Sequence, residues 1–192
     1  VLESRCGFGL LVGAAGSGKT ALVTRLIGEL PGEFGPLVRL VCPRLVTVDL
    51  LAWLAADLSA DDDDPSLLRP PNPLDRLRDL LVDWNAIGRR PLIVVDEAHL
   101  VDDSRTLEAL SLLWNLPNLP ADACSVLLVG QPGVEGWLAR VPRLARRVIR
   151  TVTLEALSIG QTADYVETRL RAAGADRPFF TPAALEAVHA VS

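Results

Sequence analysis

Residues 12–20 read Val-Gly-Ala-Ala-Gly-Ser-Gly-Lys-Thr, and Lys19 is the only lysine among 19 basic residues. The run Gly13, Ala14, Ala15, Gly16, Ser17, Gly18, Lys19, Thr20 fits the spacing G-x-x-x-x-G-K-[ST]. Glycines at those positions let backbone wrap closely around phosphate oxygens. Successive N–H groups then point inward as an anion nest, and the N-terminus of a following helix adds partial positive charge. Lys19 supplies a compact ammonium for the β- and γ-phosphates, and Thr20 a hydroxyl for Mg²⁺. Every other basic residue here is Arg. A planar guanidinium fork cannot replace a point charge inside a closed backbone loop, which explains why one lysine persists in so arginine-biased a chain.

A second constellation lies in "LIVVDEAH", residues 92–99. Asp96 and Glu97 stand where an apolar strand ends, the edge of a parallel sheet at which ligands bind. Asp96 is placed to hold Mg²⁺ through water. Glu97 is placed to polarise an attacking water as general base. His99 has two readings, packing in the core or relaying the phosphate state, and packing is preferred. The letters DEAH also name a helicase class. Such helicases need a second motor domain and a Ser-Ala-Thr motif in the next strand, whereas this chain has "LLVGQP" and 192 residues.

Both constellations need rigid elements beneath them. Short apolar runs at residues 8–12, 37–42, 91–97 and 125–130, with a shorter one at 150–154, predict strands. Helical spacing predicts helices over 20–30, 46–58, 74–87 and 104–116. Ser158 with Gln161 three residues on is a capping-box signature, and Thr181-Pro182 opens a last helix. Strands alternating with helices, and apolar on both faces, imply an α/β fold with a parallel sheet covered by helices. The acidic, proline-rich stretch 59–73 breaks the pattern and predicts a solvated loop. Asp61, Asp62, Asp63 and Asp64 do not converge on one ion there.

Composition sets the outer bounds. Half the residues are apolar (49%) and 22% are charged, the balance of a globular protein with a sizeable core. No apolar run approaches the ~20 residues of a bilayer span, and the N-terminus lacks a secretory pattern. A net charge of −5 argues against a whole-surface nucleic-acid binder, while leaving room for a local basic patch. Cys6, Cys42 and Cys124 are far apart and odd in number, which fits buried thiols in a reducing cytosol better than a disulfide framework. With no methionine, and with its last residues inside a helical pattern, the sequence reads as a piece of a longer protein.

The order "VGAAGSGKT", "LIVVDEAH", "LEALSLLWNL", "VLLVGQPG", "LARRV", "LEALS", "YVETRLRAAG" resembles the AAA+ ATPases of the ExeA-like group, the general secretion pathway protein A family, over most of the chain from residue 7 to 192. The "GQP" after the fourth strand, with the helix and Arg that follow, is the more specific part. Transposition and origin-recognition ATPases share the general plan. The resemblance implies a P-loop NTPase fold of AAA+ type, a three-layer sandwich with helices on both faces of a parallel sheet. It implies an ATPase core over residues 1–156 and the truncated beginning of a helical lid over 157–192. The "VLLVG" strand is expected between the cradle strand and the "LIVVDE" strand.

The same resemblance implies ATP and Mg²⁺ as cofactors, and Mg²⁺-dependent hydrolysis that drives or regulates an envelope or secretion assembly. The alternatives are a DNA-associated regulator of transposition type and a nucleotide-gated switch with little turnover. Gln131 takes the sensor position between the phosphates and the water, its other reading being a turn residue before Pro132. Arg147 takes the place of an arginine finger that reaches a neighbouring copy in a homo-oligomeric ring or filament. Its other reading is a solvated basic face, Arg146 competes for the role, and the spacing of Arg143, Arg147 and Arg150 predicts a shared helix face. A secretion-system or envelope partner is implied, and DNA is not favoured. Placement is cytoplasmic, at the cytoplasmic face of the inner membrane for the full-length protein. The lid's second sensor arginine and the segment upstream of the first strand are both missing from this sequence.

Overall fold

The apolar runs at 8–12, 92–97 and 125–130 are rich in Val, Leu and Ile and bounded by glycine, proline or acids, so they extend and pair rather than coil. A computed structural model describes residues 8–41, 47–59, 72–101, 104–120 and 123–191. Five strands form one sheet: β1 (Phe8–Gly13), β2 (Phe34–Val41), β3 (Arg90–Asp96), β4 (Ser125–Gly130) and β5 (Val148–Leu154). Their order is β2-β3-β4-β1-β5, with every neighbouring pair parallel. The fourth strand therefore lies between the first and third, as the resemblance implied. Parallel strands share one C-terminal edge, and the chain connects them through helices. Inserting β4 between β1 and β3 brings the ends of all three to a common crevice.

Both faces of the sheet are apolar, as expected of strands buried on two sides. One face carries Leu10, Val12, Val38, Leu40, Ile93, Val95, Val126 and Leu128. It packs on Leu50, Leu54 and Leu58 of α2 (Thr47–Leu58), Leu77 and Leu81 of α3 (Pro73–Ala86), and Leu110 of α4 (Ser104–Leu112). Each such fully buried leucine contributes about 1.5–3 kcal/mol. The other face carries Leu11, Leu92, Val94 and Val129, packed on Val23 and Ile27 of α1 (Lys19–Gly28). The helix that begins at the phosphate loop is thus fixed by its own apolar stripe against the sheet.

Three local expectations change. β2 begins at Phe34 rather than 37, through a register shift against β3 that Gly35-Pro36 conceals in the sequence. The Arg90 guanidinium stacks 5.5 Å above the Phe34 ring. The helix expected over 104–116 ends at Leu112 and tightens into a 3₁₀ turn over Leu113–Asn115. The shared helix face of Arg143, Arg147 and Arg150 does not form. After α5 (Val134–Leu138), helix α6 spans only Pro142–Ala145, because β-branched Val148 and Ile149 join the sheet and place Arg150 opposite Gly9. Most of the acidic loop, together with Cys6 and Cys42, lies outside the described residues, while Cys124 is buried.

The chain divides into two compact units, Val1–Leu154 and Glu155–Ser192. The second holds α7 (Ile159–Ala172) and α8 (Pro182–Val191). The capping box is complete: Gln161 N–H donates to Ser158 Oγ at 3.3 Å, and Ser158 N–H to Gln161 Oε1 at 2.8 Å. Thr162 Oγ1 and His189 Nδ1, 3.0 Å apart, join the two helices.

Candidate nucleotide-binding site

The cradle is built by where β1 must stop and α1 must start. Gly13 ends the strand against β5. A Cβ there would stand 2.6 Å from Ser17 Oγ and 3.0 Å from Leu154 O, so a larger residue would force Ser17 Oγ and the β5 backbone to shift. Gly16 (φ 76°) and Gly18 (φ 88°) take the left-handed backbone that reverses the chain within the loop. Ser17 N–H donates to Ala14 O at 3.2 Å and tightens the turn. Helix α1 then begins with no side-chain cap and no acid in its first turn, so its leading N–H groups and partial positive charge face the loop. The Ser17 hydroxyl is buried without a hydrogen-bond partner among the described residues. A donor in that condition fits an acceptor such as a phosphate oxygen.

Lys19 is 6% exposed, and its Nζ donates to Gly13 O at 3.0 Å and Ala14 O at 2.7 Å. The ammonium lies across the loop it belongs to. A compact ammonium with freely rotating donors suits this seat inside a closed loop.

The acidic pair meets the cradle across the sheet. Thr20 Oγ1 donates to Asp96 Oδ2 at 3.2 Å, joining residues 76 positions apart in the chain. Asp96 is 2% exposed, and its Oδ1 accepts the Glu97 N–H at 3.0 Å. Among the described residues no three His, Cys, Asp or Glu cluster as a metal-binding set. A divalent ion here would take the Thr20 hydroxyl and the Asp96 carboxylate, with phosphate and water completing its shell. That oxygen donor set suits Mg²⁺.

Glu97 sits in the left-handed region (φ 54°, ψ 37°), a conformation that costs a non-glycine residue about 1–3 kcal/mol and gathers at working sites. It caps the short 3₁₀ turn over Ala98–Leu100, whose following carbonyl, Val101 O, accepts from Trp137 Nε1 at 2.6 Å. The structure corrects the preference for His99 as a core residue. Its Nδ1 stands 3.4 Å from Glu97 Oε2 and 3.3 Å from the Gln131 backbone N–H. One ring nitrogen cannot accept from Gln131 and donate to Glu97 at once. His99 therefore lies between the candidate base and the end of β4, and it links Gln131 to the acidic pair.

Arg39 is the site residue that sequence reasoning missed. It lies on β2, and its Nη2 donates to Asp96 Oδ2 at 2.8 Å, the same oxygen that Thr20 contacts. The available signal was a charge within the otherwise apolar run "LVRLV". Arg147 lies elsewhere. Its carbonyl accepts the Phe8 N–H at 3.0 Å, at the start of β1, whereas the cradle begins at that strand's other end. Six strand residues separate the two by roughly 16 Å.

A parallel sheet of this strand order, with a glycine-lysine loop before α1 and a carboxylate pair at the end of β3, defines a P-loop NTPase of AAA+ type. The chain belongs to the family described as AAA domain, whose sequence profile matches residues 2–138. It is 35% identical to General secretion pathway protein A of Aeromonas hydrophila over 194 aligned residues, covering 100% of this chain and 35% of that protein. The chain thus spans about a third of the curated relative it matches. Among solved structures it is similar to the Aeropyrum pernix ORC2 protein in its ADP form, with TM-score 0.69 and 18% identity over 98% of this chain and 52% of that one. It is also similar to a variant of Thermotoga maritima RuvB, with TM-score 0.60 and 18% identity over 97% of this chain and 49% of that one. No helix among the described residues is long and apolar enough to cross a membrane.

Proposed function

We propose that the chain binds ATP with Mg²⁺ and hydrolyses it, and that within its full-length protein this turnover drives or regulates an envelope or secretion assembly. The observation that carries the chemistry is the Thr20–Asp96 contact at 3.2 Å, which sets the cradle and the acidic pair on one site. The assembly role rests on the likeness to General secretion pathway protein A.

The loop amides and the Ser17 hydroxyl hold the phosphate oxygens. Lys19 exchanges the carbonyls of Gly13 and Ala14 for β- and γ-phosphate oxygens. Thr20 and Asp96 would hold a Mg²⁺ ion, which would supply neutralisation of phosphate charge. Glu97 accepts a proton from the attacking water as the water oxygen bonds the γ-phosphorus and the bond to the β-phosphate oxygen breaks, leaving ADP and inorganic phosphate. His99 and Gln131 orient the base and sense the γ-phosphate. Arg147, remote from its own cradle, acts on the site of a neighbouring copy.

Glu97→Gln tests the mechanism. Turnover falls about 10²–10⁴-fold while ATP affinity is retained. An unchanged rate removes Glu97 from catalysis and favours a nucleotide-gated switch. A DNA-associated role has one observation behind it, the exposure of Arg140, Arg143, Arg146 and Arg150 along one short segment.

A further inference from the structure

Arg39 stands where the reaction's cation must work, yet the chemistry above does not use it. Asp96 is almost fully buried, and a carboxylate so far from water needs a counter-charge. Its Oδ1 accepts the Glu97 N–H, and its contacts with side chains fall on Oδ2. Oδ2 receives the Thr20 hydroxyl at 3.2 Å and the Arg39 guanidinium at 2.8 Å. Thr20 and Asp96 are the two residues that would hold a divalent ion.

The register explains how β2 delivers this charge. Arg39 lies opposite Val94, and Val41 opposite Asp96. The long Arg39 side chain runs along the strand pair toward the C-terminal edge. Its seat there is incompletely satisfied. Nη2 is bonded, but Nε is buried with no hydrogen-bond partner among the described residues. The Arg39 side chain is nonetheless 32% exposed, so a guanidinium that leaves Oδ2 has solvent to enter. Lys19 shows the parallel arrangement, its ammonium resting on Gly13 and Ala14 carbonyls. Both cations of the site are thus held on oxygens of the chain itself.

We propose that Arg39 is an internal competitor for the divalent ion, occupying Asp96 Oδ2 so that metal entry is an exchange against a guanidinium rather than a simple addition. The inference rests on the reading of the site as one for nucleotide with a divalent ion. Two cations sharing one carboxylate oxygen repel each other, so Arg39 weakens the metal site and must withdraw when Asp96 and Thr20 turn to the ion. It also ties β2 to the state of the site, since the guanidinium that leaves belongs to that strand. A purely structural ion pair would act differently. Breaking a buried pair destabilises the fold and gives the metal site no gain.

The test is a Mg²⁺ titration at constant ionic strength of the chain with the fluorescent nucleotide mant-ADP, comparing wild type, Arg39→Met and Arg39→Lys. Arg39→Met removes the charge at similar length, and the Mg²⁺ midpoint falls about tenfold or more. Arg39→Lys keeps a cation, and the midpoint stays within about threefold of wild type. Thermal unfolding without added metal or nucleotide supplies a second reading, in which Arg39→Met melts below wild type and regains the difference when both are added. If Arg39→Met does not fold, Arg39→Gln replaces it, with the same downward shift expected. A midpoint that is unchanged or raised in the uncharged variant overturns the proposal while leaving the nucleotide reading intact. Absence of mant-ADP binding by wild type at every Mg²⁺ concentration overturns both.

Discussion

The C-terminal edge of β1 and β3 and the arginine-rich segment 140–150 both gather polar side chains, and they are organised in opposite ways. At the strand edge most of the polar atoms answer one another. Lys19 is bonded to loop carbonyls, Asp96 to Thr20, Arg39 and the Glu97 amide, and His99 accepts from the Gln131 amide with Glu97 Oε2 3.4 Å away. In segment 140–150, Arg140, Arg143, Arg146 and Arg150 are exposed and ion-paired with no carboxylate among the described residues. The first region is tied together by contacts within one chain. The second presents positive charge outward, at the end of β1 away from the cradle. The division fits the proposed function, in which Arg147, at the far end of β1 from its own cradle, acts on the site of a neighbouring copy.

Breaking the comparison should have its largest effect at Arg147. Arg147→Ala lowers ATP turnover about 10³-fold or more at concentrations where copies assemble, with ADP affinity preserved, as steady-state kinetics and equilibrium binding would show. Equal loss of affinity and turnover would move Arg147 out of that role. Gly13→Ala comes next. The new Cβ meets Ser17 Oγ at 2.6 Å and the Leu154 carbonyl at 3.0 Å, so the fold loses about 1–3 kcal/mol by denaturant titration, with nucleotide affinity reduced as well. A smaller change sharpens the contrast. Arg143→Ala leaves stability within about 0.5 kcal/mol, because the side chain is exposed and unpaired among the described residues. Were the same variant to abolish duplex binding that wild type shows at low salt, segment 140–150 would belong to nucleic acid instead of a second copy.

The contrast also marks what the sequence made legible. The cradle was readable because its residues are contiguous and the geometry is imposed locally by glycines and a helix start. The place of β4 between β1 and β3 followed from resemblance, and the strands themselves from apolar runs at residues 8–12, 91–97 and 125–130. Contacts made across the sheet were hidden. Arg39 reaches Asp96 from 57 positions away, and only the β2–β3 register reveals it. His99 looked like a packing residue because its tie to the Gln131 amide depends on β4 lying beside β3. Helical spacing of Arg143, Arg147 and Arg150 misled, because pairing of Val148 with Phe8 ended the helix before periodicity could extend it.

The most direct test is equilibrium binding of ATP with Mg²⁺ to Glu97→Gln protein, with and without the further change Lys19→Ala. The expected result is saturable, Mg²⁺-strengthened binding that Lys19→Ala weakens about 10–100-fold, the worth of a charge-assisted contact to phosphate. No binding in the presence of Lys19, or binding indifferent to its loss, would contradict a triphosphate site at residues 13–20 facing Asp96.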